Sequence, residues 1–241
     1  MPDRAVDGQS GTLAFMCGRF VSPSVAEAER NFTIDLLLAQ WEPSYNLAPT
    51  DQAPVIRLRG EQHVCEPMRF GMIPFFARGV APSFSTINAT VEKLESNASW
   101  RSPWARRQRC LVLTNGFYEW HVLPDGKTRQ PYFVKPADQE TFAFAGLWDL
   151  SKADDGTATH SFAIITLPAS PLMAEIHNAK KREPAILVRA DCEVWLNGTA
   201  EQAKAALRQY PDDLLTAYPV STRVGSPKNN DEKLIDRTPS A

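Results

Sequence analysis

Glu119 lies in Gly116-Phe-Tyr-Glu-Trp120, at the end of an apolar run and among aromatic side chains. A carboxylate in that setting is costly unless it is paired or used. Burial there raises its pKa toward the range of a general acid or base. The competing reading is a strand-edge Glu that faces water while its neighbours face inward. His177 follows the apolar Leu172-Met-Ala-Glu-Ile176 and precedes Asn178 and the basic run Lys180-Lys-Arg182. Basic neighbours depress an imidazole pKa and would leave a neutral ring able to shuttle protons. Alternatively, it is a helix C-terminal His that interacts with the last carbonyls.

Arg101, Arg106, Arg107 and Arg109 surround Trp100 and Trp104 with no intervening acid. Arg pairs phosphates and rings stack bases, so this pattern suits a strand of nucleic acid. A solvated amphipathic helix fits it as well, and the run 180–182 carries the same ambiguity. Cys17 by itself reads as a buried structural thiol. The preceding Met16 changes that reading, because Met16 could be the true initiator. Its removal would leave Cys17 with a thiol and a free α-amine, of pKa about 8.5 and about 7.7–8.0, both reactive near neutrality.

Those residues need a frame. The first fifteen residues are polar and without periodicity, and they read as a disordered extension or as sequence absent from the mature protein. Order is expected from Cys17-Gly-Arg-Phe-Val21, a short strand. Ser22-Pro-Ser24 then caps a helix over Val25 to Ala39. Ala53 to Arg59 and His63 to Phe70 read as a strand pair around Arg59-Gly60-Glu61. Further strands are expected at 110–114, 117–120, 131–135, 141–148, 161–166, 185–188 and 218–221. Short helices are expected at 90–96, 100–107, 172–177, 191–196 and 200–210, and a mobile tail over 232–241. Strands interleaved with few, short helices are not the βαβ alternation of a doubly wound sheet, and no G-x-G-x-x-G or G-K-[ST] loop is present. One α+β domain over 17–231 is expected, with a strongly bent, barrel-like and mostly antiparallel sheet.

The chain has 241 residues with 43% hydrophobic and 22% charged, enough for a full core and too apolar for wholesale disorder. The formal net charge is -2, so any nucleic-acid partner would be held by a local basic patch. A mean hydropathy of -0.31 and the lack of a long apolar run exclude a transmembrane helix. The start lacks a basic n-region and an apolar h-region, so no signal peptide is expected. Cys17, Cys65, Cys110 and Cys192 are scattered, and the His residues show no ligand spacing. A reducing, cytoplasmic location without metal is the expectation.

The motifs converge on a family. Met16-Cys-Gly-Arg-Phe, Tyr45-Asn-Leu-Ala-Pro, Gly71-Met-Ile-Pro, Ile87-Asn-Ala, Gly116-Phe-Tyr-Glu-Trp, Ile176-His-Asn with Arg182-x-Pro, and Pro219-Val-Ser occur in that order. Together, over about residues 16–231, they resemble the SRAP family of SOS response-associated peptidase, or abasic-site processing, proteins. The resemblance implies the SRAP-like fold and an abasic-site sensor of the DNA damage response. It would bind single-stranded DNA at an abasic site and link to it covalently as a thiazolidine through an N-terminal Cys17. The implied chemistry is lyase-like cross-linking, with peptidase or hydrolase activity as the family's older proposal. Carried over by motif, Asn88 would stabilise the sugar, Glu119 would shuttle protons, and His177 would promote opening of the sugar ring. Arg19 and Arg182 would grip phosphates, and Phe75 and Phe76 would stack on or wedge between bases. Thr90 stands where relatives commonly carry Arg, which Lys93 or Arg101 would have to replace in DNA binding. Glu183 stands between Arg182 and Pro184, where an apolar residue is usual, and would weaken phosphate attraction unless it points away. No cofactor, metal or membrane is implied. The expected state is a monomer that is nucleoid-associated during DNA damage. Two other readings stay open: a cysteine-type peptidase that cleaves before Cys17, and a non-covalent single-strand-binding module.

Overall fold

The computed structural model describes residues 17–239, so the expected extension over 1–16 lies outside the described residues. The described chain opens on β1 (Arg19–Ser22) and α1 (Val25–Asn31). Then come β2 (Leu36–Leu37), β3 (Ser44–Leu47) and a long hairpin of β4 (Gln52–Arg59) and β5 (Gln62–Phe70). A loop holding the 3-10 turn Phe75–Ala77 leads to β6 (Asn88–Thr90) and α2 (Arg101–Ala105). The strands β7 (Arg109–Thr114), β8 (Gly116–Val122), β9 (Arg129–Pro136), β10 (Phe142–Lys152) and β11 (Ala158–Pro168) follow. The chain then runs through α3 (Pro171–Ile176), β12 (Arg182–Pro184), β13 (Ile186–Leu187), α4 (Cys192–Asn197), α5 (Ala200–Ala206) and β14 (Leu215–Pro219).

The architecture is α+β, with the bent, barrel-like sheet that was expected. Strands β4, β7, β10 and β11 pair antiparallel in that order, and β5 pairs antiparallel with β4. The ring closes where β5 meets β11 in parallel, at Arg69 opposite Ser161 and Phe70 opposite Phe162. Closure removes two sheet edges and leaves an interior that side chains fill. A second sheet, ordered β14-β9-β8-β1-β3, packs beside it. Its Phe20 and Phe117 join Phe70, Phe144 and Phe162 of the barrel in one core, with Phe20 and Phe70 edge-to-face at 5.4 Å. Among the described residues, no helix is long and apolar enough to cross a membrane.

β8 carries Glu119, and its position depends on Gly116. A Cβ on Gly116 would stand 2.0 Å from Phe133 Cζ on the neighbouring strand β9. Gly116→Ala is therefore expected to destabilise the fold by about 1–3 kcal/mol through overpacking. Urea unfolding monitored by tryptophan fluorescence checks this, and an unchanged midpoint would refute it.

Three expectations are corrected. The first helix ends at Asn31 instead of Ala39. Its capping box of Ser24 and Glu27 forms, but the chain beyond Phe32 pairs with the edge of β5 instead of continuing as helix. The amides of Asp35 and Leu38 donate to His63 O and Cys65 O there, so the extended form satisfies the backbone just as well. The segment expected as a short helix over 90–96 is the end of β6 and a 3-10 turn over Val91–Lys93. The expected mobile tail is anchored as far as residue 239: Leu234 is buried, Tyr218 Oη donates to Ile235 O, and Val220 bridges Arg237.

Candidate functional site

The site begins where β1 begins. β1 pairs antiparallel with β8, Arg19 opposite Tyr118, so the residues just before Arg19 run alongside Glu119. The Cys17 nitrogen donates to Glu119 Oε1 at 2.6 Å, and the Cys17 thiol hydrogen-bonds the same carboxylate. Cys17 and Glu119 are both buried, at 2% and 1% exposure, so Glu119 is no water-facing strand-edge residue. Period-two alternation fails here because Phe117, Tyr118 and Glu119 are all buried: both faces of β8 are covered.

His177 comes from the other side. It is the C-cap of α3, and its amide donates to Met173 O. Its ring Nδ1 lies 2.9 Å from Arg182 O and 3.7 Å from Glu119 Oε2. A carbonyl only accepts, so Nδ1 carries the proton and, in the neutral ring, Nε2 is the basic nitrogen. His177 therefore caps the helix through its backbone amide, while its ring bonds outside the helix. Asn178 pins this corner to β8: its Oδ1 accepts from Val122 N and its Nδ2 donates to Val122 O, both at 2.9 Å. His121 adds a contact from its Nδ1 to Glu175 O at 2.8 Å.

Burial sets the electrostatics. It pushes the Glu119 carboxyl above its usual range, against the opposing pull of His177, the Cys17 groups and Lys180. It pushes the Cys17 thiol well above its usual range too, and the Glu119 charge adds to that rise. The thiol is thus held as S–H. Cys17 also has a left-handed backbone with φ 41°, a conformation costing a non-glycine residue on the order of 1 kcal/mol.

One cleft opens on this cluster, and a second shares Lys180 with it. The first, of about 470 Å³, is lined by Arg19, Glu119, Trp120, Lys127, Arg129 and His177, among others. The second, of about 610 Å³, runs past Asn88 on β6, and Lys180 lines both. Arg19 is clasped in the first: its guanidinium donates to Asn46 Oδ1 at 2.9 Å and to Val224 O at 3.1 Å.

Not every expected residue arrives. Arg182 stands near enough to Cys17 to lower its pKa, but its guanidinium holds Glu92 bidentately at 2.6 and 3.0 Å and also donates to Thr166 O. Thr90 pairs with Thr166 on β11, next to that arginine's anchor. Glu183 stands near enough to Cys17 for its charge to raise the thiol pKa. Its carboxylate accepts from Ser170 N at 2.7 Å, at the start of α3, and burial raises its pKa. Trp100 and Trp104 of the arginine–tryptophan cluster are core residues and offer no open face to a base. Arg109 is buried and donates to Gly198 O at the end of α4. Arg101 is exposed on α2 and lines neither cleft. Phe75 and Phe76 are exposed, with ring centroids 5.5 Å apart, and they too line neither cleft. The sequence reading missed Arg69, Phe84, Lys127, Arg129 and the pinning role of Asn178. Only Phe84 carried a local signal, an aromatic ring between serines in a polar loop.

The geometry has counterparts. A family model described as SOS response associated peptidase (SRAP) matches residues 16–227. The abasic site processing protein YoqW of Bacillus subtilis is 35% identical over 227 residues, covering 92% of this chain and 99% of that protein. The abasic site processing protein YoaM of the same organism is 33% identical, covering 92% and 98%. A crystal structure of a Bacteroides thetaiotaomicron protein superposes with a TM-score of 0.77 at 24% identity, covering 90% of this chain and 98% of that one, and shares the fold.

Proposed function

Because the chain belongs to the SOS response associated peptidase family, we propose that it processes abasic sites by capturing them covalently in single-stranded DNA through Cys17. The observation that carries this reading is that the backbone nitrogen and the thiol of Cys17 both bond to one buried carboxylate, that of Glu119. An abasic deoxyribose opens from its hemiacetal to an aldehyde. His177, beside Glu119, would move the proton for that opening. The α-amine of a first-residue Cys17 then adds to the carbonyl carbon, and one of its protons passes to the oxygen, which becomes a hydroxyl. Glu119, as the acid, protonates the departing hydroxyl and takes the second proton of the nitrogen, and water leaves as the imine forms. The thiol adds across the C=N bond, its sulfur to carbon and its proton to nitrogen. A thiazolidine and one water are the products. Asn88, at the edge of the second cleft, would hold the sugar by hydrogen bonds. Arg19, Lys127 and Arg129 would receive phosphates in the first cleft. Arg182 would join them only by leaving Glu92, and Thr90 offers a hydroxyl without charge.

The reading requires Cys17 to be the first residue of the working protein. The raised thiol pKa supports imine formation before sulfur attack. It also argues against the peptidase alternative, which needs a thiolate. A salt-sensitive module indifferent to lesions would have no use for a buried Cys–Glu–His group. The test mixes protein beginning at Cys17 with an abasic oligonucleotide. A protein–DNA species that survives a denaturing gel is expected, and protein retaining residues 1–16 should give none. A folded Cys17-first protein without adduct refutes the proposal.

A further inference from the structure

The second cleft has a composition that covalent capture alone does not require. Its wall carries Phe84, a residue 61% exposed although it sits in a cleft. Arg69 and Lys180 lie in the same lining with Ser83, Ser85 and Thr86. Arg69 is held in place: its Nη1 donates to Gly71 O. Gly71 permits this, since a Cβ there would lie 3.0 Å from Arg69 Nη1 and 3.4 Å from Ile87, at φ +103°. The loop that bears Phe84 is fastened just beyond it. Thr86 O accepts from Met72 N at 3.1 Å, and Ile87 O accepts from Ile164 N at 2.9 Å. Two residues on, Asn88 lines the same cleft, so the ring is tied through a short, anchored segment to the capture site.

An open aromatic face, two cations and several hydroxyls match a nucleotide, which joins a flat apolar base to an anionic phosphate. The first cleft differs. Four basic side chains, Arg19, Lys127, Arg129 and Lys180, line it, and its one aromatic side chain, Trp120, is only partly exposed. We propose that the second cleft is a nucleobase subsite in which Phe84 stacks the base on one side of the abasic residue while Arg69 and Lys180 take its phosphate. The inference rests on the single-stranded DNA reading above and adds an asymmetry to it: one flanking base is gripped and the other is not.

The test reads binding without chemistry. Single-stranded oligonucleotides carry a central tetrahydrofuran, an abasic analogue with no aldehyde, and fluorescence anisotropy gives the affinity. In three further oligonucleotides the 5′ base, the 3′ base or both are also removed. Wild-type protein is expected to lose about tenfold in affinity when one of the two flanking bases is absent, and little when the other is. Phe84→Ala should bind the fully based strand about tenfold more weakly and show no further loss, while Phe84→Trp keeps the wild-type pattern. Wild-type affinity indifferent to both bases, full base dependence in Phe84→Ala, or no measurable binding overturns the subsite. Base-dependent binding without a covalent adduct on natural abasic DNA would leave the subsite standing and refute covalent capture.

Discussion

Cys17→Ser, in a protein that begins at that residue, is expected to give no adduct that survives denaturation. Serine keeps the α-amine and nearly the size of cysteine, so the imine still forms. Its hydroxyl closes an oxazolidine that water reopens, and the DNA is released on the gel. Borohydride separates the two groups. It reduces an imine to a secondary amine, so reductant should restore the adduct of Cys17→Ser to wild-type yield. Cys17→Ala should behave identically, because only the amine is then at work. A stable Cys17→Ser adduct without reductant would remove sulfur from the mechanism. Failure to trap with borohydride would remove the amine. The fold tolerates serine here, because the position is small, buried and bonded to a carboxylate that a hydroxyl can also reach.

How much of this the sequence discloses depends on the range of each interaction. The β4–β5 hairpin around Gly60 and the capping box of Ser24 and Glu27 are local, and sequence patterns carry them. Barrel closure is not local. It depends on two residue pairs between β5 and β11, about ninety positions apart in the chain, and no propensity encodes that register. Trp100 and Trp104 read as a stacking surface from composition, but helix–sheet packing turns both into the core. Residue types and spacing alone tilt Glu119 toward a water-facing strand edge. The deciding fact is that β1 and β9 flank β8 while α3 covers its end, which is a property of the whole fold. The resemblance to a family put Cys17, Glu119 and His177 together before any geometry did. It could not say that Arg182 holds Glu92 or that Phe75 and Phe76 stand apart from both clefts.

The same long-range construction ties the site down. β1 lies between β3 and β8, and Arg19, two residues after Cys17, is tied to Asn46 and Val224. Asn46 Nδ2 donates to Val224 O, Ser226 O and Asn229 O, which binds the C-terminal segment to the start of β1. Cys17 therefore meets Glu119 without searching, and a held geometry of this kind removes entropy from the barrier.

Glu119→Gln should slow adduct formation about 100-fold near neutral pH, the lower range for loss of a positioned general acid–base. Glutamine is nearly isosteric, and its amide oxygen can still accept from the Cys17 nitrogen. It also removes a carboxyl whose ionised form burial disfavours, so the variant is expected to remain folded. The pH profile separates a proton shuttle from a mere spacer. At acid pH the Cys17 amine is protonated and cannot attack, so both proteins should show a rate that rises with pH. At higher pH the wild-type rate should fall as Glu119 ionises and can no longer protonate the departing hydroxyl. Burial raises its pKa, so the acid form persists to a higher pH than an exposed carboxyl allows, and the fall comes correspondingly late. Glu119→Gln has no such acid and should rise to a plateau without the descending limb. Single-turnover rates across the neutral range, followed by quenched gels, supply both curves. A variant with the wild-type rate and the wild-type bell would reduce Glu119 to a structural partner of Cys17 and leave the proton transfer to His177, whose Nδ1 lies 3.7 Å from that carboxylate.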